Sequence, residues 1–290
     1  AFGNFDGVHL GHDSLISELL NIAGKNKLKS VLITFKPHTK MIVDERKKNF
    51  IITPHSIKID LLKKYNLDYI SIVNFNKEFS NLKASVFIDN ILNAYNPSVI
   101  LIGYDNRFGY KGQGDYDFLI SYLNNKNVKV IKLDKYDFNS LLIKSTLIKE
   151  SINHGDIEKA NSYLGRNFCL QGTIIEGKGR GKDLGFPTAN LKLLDKEQII
   201  PKVGLYYVNF VDGYESYKAL CNIGYRPTFD HDSALSIESY ITENKNFNFY
   251  GKKIKIEFLK YLRDEIAFSS EKGLVDQIEN DILSLKKITD

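Results

Sequence analysis

The 290-residue chain contains only two cysteines, Cys169 and Cys221, far apart and each within an apolar stretch. They form neither a metal-ligand spacing nor a disulfide framework, so buried thiols in a reducing, cytoplasmic setting are expected. No window approaches the ~18–20 uninterrupted apolar residues that a membrane span requires, which excludes the membrane as a partner. The net charge is only +5, from 40 Lys and Arg against 35 Asp and Glu. That surplus is too mild for a dedicated nucleic-acid binder, and there is no RNP-like word interleaving aromatic and basic residues. Internal repeats, low-complexity segments, a charged-then-apolar leader and an initiator Met are also missing. Because the opening AFGNFDG reads as the end of a strand, the numbering is expected to begin inside the first element.

What is present has the composition of a globular protein, with 43% apolar, 26% charged and 12% aromatic residues. Its length predicts two domains. The first half alternates β-rich runs, at 31–35, 69–73, 99–103 and 128–133, with helix-period stretches such as 13–23 and 84–94. With Phe2 ending a first strand, this predicts five strands and their crossovers in an open, doubly wound parallel sheet, with ligands beyond the strand C-termini. Two short helical pieces follow at 146–153 and 156–164, the second capped by Gly165. From Phe168 onward the period becomes two, at 168–175, 205–211, 217–223, 235–241 and 254–261, which predicts an antiparallel sheet or barrel with an amphipathic helix over 271–285 packed on it. The expected fold class is therefore α/β plus all-β, the second part a six-stranded-type antiparallel barrel with a C-terminal helix, with domains 1–155 and 156–290. The charge surplus is confined to the first half: residues 1–150 hold 21 Lys and Arg against 15 Asp and Glu, and 151–290 hold 19 against 20. A small anionic ligand there would suit that bias, as would a plain solvated lysine surface.

The segment GNFDGVHLGH at 3–12 combines a strand end, a turn punctuated by Gly3, Gly7 and Gly11, and a helix starting at or just before His12. Unsatisfied N–H groups, the positive end of the helix dipole and the imidazoles of His9 and His12 converge there, which suits a polyphosphate. The histidines are positioned to stabilise charge on a nucleoside triphosphate during attack at its α-phosphorus. An isolated HxxH reads as a helix start with exposed histidines; the ten-residue word resembles the HxGH nucleotidyltransferases. More narrowly, it resembles the adenylyltransferase module of bacterial bifunctional riboflavin kinase/FAD synthetases. Three later segments agree: Thr34-Phe35-Lys36-Pro37-His38, Gly103-Tyr104-Asp105-Asn106-Arg107-Phe108-Gly109, and Ser145-Thr146 followed by Ile148-Lys149.

This resemblance implies a Rossmann-like domain. It implies that Gly3, Asn4, Phe5, Asp6, Gly11, Ser145, Thr146 and Lys149 bind ATP, and that Asp105, Arg107 and Phe108 bind the flavin. Asp105 and Arg107 otherwise read as a loop ion pair. Two positions depart from the family pattern, Lys144 where Ser is usual and Lys149 where Arg is usual. Lysine keeps the charge but not the bidentate fork.

In the second half, the run from Glu176 to Asn190, EGKGRGKDLGFPTAN, reads by its glycines and lysines alone as a surface loop and fits no Walker pattern. With its PTAN tail it resembles the riboflavin kinase signature. That resemblance implies ATP binding by Gly179, Gly181, Thr188 and Asn190, the last two also meeting Mg²⁺. On an extended segment Thr188 and Asn190 point the same way, as two oxygen ligands to a hard cation must. The segments Asn222-Ile223-Gly224-Tyr225-Arg226-Pro227-Thr228-Phe229, Phe249-Tyr250-Gly251 and Leu262-Arg263-Asp264-Glu265 continue the likeness. They imply flavin contacts from Asn222, Arg226 and Arg263. Glu238, a lone carboxylate in an alternating strand, reads by period as a solvent-facing residue; the resemblance makes it the base that accepts the 5′-hydroxyl proton of riboflavin.

The expected protein is therefore a bifunctional flavin-cofactor enzyme, a monomer or weak homo-oligomer, acting on riboflavin, FMN and ATP with Mg²⁺ and binding no nucleic acid. Two rivals stand beside it. The first half could transfer a nucleotide to another phosphate, or the chain could be a flavin-binding module in which a site has decayed.

Overall fold

β-rich runs of the first half pair as parallel strands because helical crossovers separate them. The structure, a computed structural model, describes residues 1–44, 49–134, 137–138, 141–177, 181, 184–225, 235–242, 248–268 and 270–289. Contacts divide the chain into two units, Ala1–Ser145 and Thr146–Asp290.

In the first unit β1 (Val31–Lys36) pairs with β2 (Tyr69–Asn74), and β3 (Val99–Gly103) pairs with β4 (Lys129–Leu133), all parallel. The opening residues add a short strand to β1, through a parallel bridge from Phe2 to Ile33. Among the described residues the helices are α1 (Leu10–Asn26), α2 (Thr39–Val43), α3 (His55–Leu62), α4 (Lys77–Ser80), α5 (Ala84–Tyr95) and α6 (Tyr116–Leu123), and β5 (Asp137–Phe138) pairs antiparallel with β6 (Leu141–Leu142). Side-chain alternation shows that both strand pairs lie in one layer. Ile33 of β1 and Ile100 and Ile102 of β3 face one core, built with Phe87 and Ile88 of α5 and Leu119 of α6. Leu32 and Leu101 face the other, with Leu15 and Ile16 of α1 and Leu62 of α3. A layer covered on both faces is the doubly wound arrangement. The GNFDG, TFKPH and GYDNRFG segments follow the first strand, β1 and β3, so all three leave strand C-termini.

The second unit begins with α7 (Ser145–His154), which takes its first residue from the other unit, and α8 (Ile157–Leu164). Gly165 caps α8 in the left-handed region, φ 68°, as its sequence position predicts. Six strands then close a barrel: β7 (Phe168–Ile175), β8 (Thr188–Leu193), β9 (Gly204–Asp212), β10 (Glu215–Tyr225), β11 (Leu235–Ile241) and β12 (Lys253–Arg263), in the order β10-β11-β8-β7-β12-β9. The period-two runs named only five of these. The sixth, β8, escaped because Ala189, Asn190 and Leu191 are buried in succession, which erases alternation. The terminal helix α9 (Glu271–Thr289) seats Ile282 and Leu285 against Leu205, Tyr207 and Leu220 of the barrel.

Candidate active sites

Between the first strand and α1 the backbone is held under strain. Phe5 (φ 51°), Gly7 (φ 90°) and Val8 (φ 41°) are all left-handed. Glycine takes this conformation freely, but a β-branched residue does so at a cost of about 1–3 kcal/mol. Side chains from distant segments fix the turn. The buried Asp6 accepts from the backbone amides of Ile52 (2.9 Å) and Thr53 (3.2 Å) at Oδ1. Its Oδ2 lies 3.8 Å from His38 Nε2. Asn4 donates to Thr39 Oγ1 at 2.8 Å and accepts from the Thr39 amide at 3.2 Å. Ser145 Oγ donates to the Asp6 carbonyl at 3.0 Å, bringing the last segment of the unit to the first.

Helix α1 starts at Leu10, two residues before His12, so His9 is its N-cap and His12 its third residue. Their Nδ1 atoms accept reciprocally from each other's backbone amides, each at 3.4 Å. With both Nδ1 atoms accepting, the ring proton of each neutral imidazole belongs on Nε2. The two rings stack with centroids 3.7 Å apart, at the positive end of the helix. A Cβ at Gly11 would stand 3.2 Å from the His9 ring, so glycine there admits the imidazole. Phe5 is buried under His12 edge-on at 5.2 Å, leaving only its backbone to meet a ligand.

Beside this turn lies a cavity of about 690 Å³ whose lining includes Asn4, Phe35, Phe79, Asn106, Arg107 and Phe108. Asn106 donates to the Phe2 carbonyl at 2.9 Å, anchoring the loop after β3 to the first strand. Phe108 is 7% exposed and packs edge-on against Phe2, serving the core as well as the cavity wall. Asp105 and Arg107 are not partners of one another: Arg107 pairs with Asp115 at 2.6 Å and Asp105 with Lys144 at 3.9 Å.

One buried residue of this region belongs to no recognisable word. Lys58 of α3 is 4% exposed, and its ammonium donates to the Asn4 carbonyl (3.0 Å), Thr34 Oγ1 (3.0 Å) and the Phe35 carbonyl (3.2 Å). Burial pushes its pKa down to about 8, against the pull of Asp6. The available signal was its spacing: Lys58 stands one turn before the fully buried Leu62, on the stripe where an apolar residue belongs.

In the barrel, strand register gathers residues that are far apart in sequence. Glu238 of β11 lies opposite Asn190 of β8 on one side and Asn222 of β10 on the other. Directly opposed residues share a face, so the three form one polar row. Thr188 donates from Oγ1 to Glu238 Oε2 at 3.4 Å, and Asn222 donates to Glu265 at 3.3 Å. Gly177 comes close to this row, since a Cβ there would fall 2.3 Å from Asn190 Nδ2, and a Cβ at Gly181 would fall 2.5 Å from the Phe186 carbonyl and 3.5 Å from Thr188 Oγ1. Arg263 is engaged elsewhere, with Nη2 2.6 Å from the buried Asp281 of α9 and Nη1 bonded to the Asp264 carbonyl. A flavin contact from its guanidinium would have to form beside or in place of that pair. Thr146 and Lys149 lie in the opening turns of α7, in the second unit. Gly179 and Arg226 lie outside the described residues.

Comparison with known proteins distinguishes the same two parts. Residues 1–147 match the FAD synthetase family and residues 164–289 the riboflavin kinase family. A bifunctional riboflavin kinase/FMN adenylyltransferase of Listeria monocytogenes is 36% identical, covering 97% of this chain and 89% of its own length. The protein of the same name from Bacillus subtilis is 35% identical, over 97% and 89%. A solved structure described as a macrolide-efflux protein from Streptococcus pneumoniae superposes with a TM-score of 0.88 at 28% identity, covering 98% of this chain and 92% of that one. Among the described residues no helix is long and apolar enough to cross a membrane. The histidine-capped turn and the Asn190–Glu238–Asn222 row thus fall in stretches matching two different families, and with relatives aligned along nearly their whole length, the chain belongs to the bifunctional riboflavin kinase/FMN adenylyltransferases, which make FMN from riboflavin and FAD from FMN.

Proposed function

We propose that residues 156–290 phosphorylate riboflavin at the Asn190–Glu238–Asn222 row and that residues 1–155 adenylylate FMN at the histidine-capped turn, both in the cytoplasm. In the first reaction the 5′-hydroxyl oxygen of riboflavin attacks the γ-phosphorus of ATP, ADP leaves, and Glu238 takes the hydroxyl proton. Thr188 and Asn190 would hold Mg²⁺, which would supply charge neutralisation on the ATP phosphates. The donor set fits it: Thr188 and Asn190 offer neutral side-chain oxygens beside one carboxylate, and no cluster of three or more His, Cys, Asp or Glu exists among the described residues. A cation bound by a few protein oxygens and completed by substrate phosphates has that character. Asn222, next along the row, and Arg226 would orient the flavin, as would Arg263 if released from Asp281. Gly179 and Gly181 would let the loop backbone approach the ATP phosphates closely.

In the second reaction an FMN phosphate oxygen attacks the α-phosphorus of ATP and pyrophosphate leaves. His9 and His12 would donate from Nε2 to phosphate oxygens, and Gly3, Asn4 and Gly11 would admit the nucleotide to the turn, with Ser145, Thr146 and Lys149 on the phosphates. The aromatic-walled cavity beside Asn4 suits an isoalloxazine ring, with Arg107 and Phe108 at its edge and Asp105 close by in the chain.

The observation that carries the kinase assignment is the register: Asn190, Glu238 and Asn222 meet only because three strands pair as they do. The test is Glu238→Gln, assayed chromatographically for FMN from riboflavin and for FAD from supplied FMN. FMN formation should fall by about 10²–10⁴-fold while FAD formation persists; FMN formation within a few-fold of the parent would remove Glu238 from the role of base.

A further inference from the structure

We propose that Lys58 is a positioning residue for adenylyl transfer: its ammonium group fixes the Asn4 carbonyl against the end of β1 and so holds the strained turn that presents α1 to the nucleotide. The proposal rests on the assignment of adenylyl transfer to that turn.

An ammonium group has three protons, and Lys58 places them on three acceptors, the Asn4 carbonyl, Thr34 Oγ1 and the Phe35 carbonyl. One side chain therefore joins α3, the end of β1 and the loop after the first strand. The Asn4 carbonyl also accepts from Thr34 Oγ1 at 3.2 Å, immediately before the left-handed Phe5. A methionine or leucine would fill the same volume without desolvating a charge. The cation is thus explained by what it holds rather than by packing.

Three further titratable groups face this centre. Asp6 favours the protonated ammonium, and His38 approaches Asp6 at 3.8 Å. The His55 imidazole is pushed down to about 4 by burial, by Lys58 and by Lys36, so it is neutral at ordinary pH. As pH rises through about 8, Lys58 loses a proton and one of its three acceptors loses its donor. Folding responds with the opposite sign. The folded state binds this proton more weakly than the unfolded chain does, so this group's contribution to stability grows between about 8 and 10.5. Activity falling where this term raises stability separates positioning from a merely structural role.

The experiment measures FAD formation from FMN and MgATP, and FMN formation from riboflavin, across pH on the full chain. Lys58→Met should lower kcat for FAD formation by about 100-fold, as expected for a displaced reacting group, with FMN formation unchanged. In the parent, FAD formation should fall as pH rises above about 8, and that fall should be absent from the variant. Thr34→Val, which removes one acceptor, should move that fall to lower pH. FAD formation within about threefold of the parent in Lys58→Met, or the same alkaline fall persisting there, would overturn the proposal. If Lys58→Met does not fold, Thr34→Val decides: an unmoved alkaline fall overturns the proposal and a lowered one supports it. His12→Asn separates the two levels. Loss of FAD formation there but not in Lys58→Met refutes the positioning role alone, and loss in neither refutes the site assignment as well.

Discussion

Asp6→Ala tests whether the strained turn is held from beneath by its own carboxylate. Asp6 is 3% exposed, and its Oδ1 accepts from two backbone amides, Ile52 at 2.9 Å and Thr53 at 3.2 Å. Truncation to alanine leaves both amides buried without that acceptor. Each orphaned donor costs about 1–3 kcal/mol, so the substitution should destabilise the first unit by about 2–6 kcal/mol. For a unit of this size, about 2–4 °C per kcal/mol translates that loss into a melting temperature lower by roughly 4–24 °C. Asp6→Asn supplies the control. Its side-chain carbonyl can still accept both amides, but its NH₂ would face His38, whose Nδ1 accepts from the Lys40 amide and whose Nε2 therefore carries the proton. The asparagine variant should fall between parent and alanine. Thermal melts followed with FMN-forming and FAD-forming activity give the readout, because only the unit that carries Asp6 should suffer. A melting temperature within about 2 °C of the parent for Asp6→Ala, with FAD formation intact, would refute the account of what holds the turn.

Three other substitutions have directions set by geometry. Gly11→Ala puts a Cβ 3.2 Å from the His9 ring, so the imidazole must shift, and FAD formation should drop by about tenfold while riboflavin phosphorylation is unchanged. Gly181→Ala brings a Cβ to 2.5 Å from the Phe186 carbonyl, next to Thr188, and should produce the converse split, with FMN formation reduced by about tenfold and FAD formation from supplied FMN preserved. Arg263→Lys keeps the charge opposite Asp281 but loses the fork that donates from both Nε and Nη2, and should destabilise the barrel unit by about 1–3 kcal/mol in a denaturant titration; an unchanged midpoint would show that the brace contributes nothing.

The parts of this chain legible from its residues were local in character. Alternating helix and strand periods anticipated the doubly wound first unit, and Gly165 marked a helix end by the conformation it adopts. The GNFDGVHLGH and PTAN words were legible because a turn, a helix cap and two side-chain oxygens on one side of an extended segment are each made within a few residues. What escaped was made by tertiary contact. Strand β8 is buried on both faces and shows no alternation. Glu238 reads by period as solvent-facing, and only pairing with β8 and β10 sets it between Asn190 and Asn222. Arg263, matched by its motif to flavin, has its guanidinium held by an acid in the terminal helix. Lys58 is the clearest case, because nothing in a short stretch of α3 distinguishes a lysine bonded beneath the Asn4–Val8 turn from one in solvent except its place on the buried stripe. Glu238 keeps the outward face that period assigns it, between the buried Ile237 and Ser239, whereas Lys58 breaks the apolar stripe of its helix. A buried charge on an apolar stripe is the kind of departure expected where local consistency is given up for function.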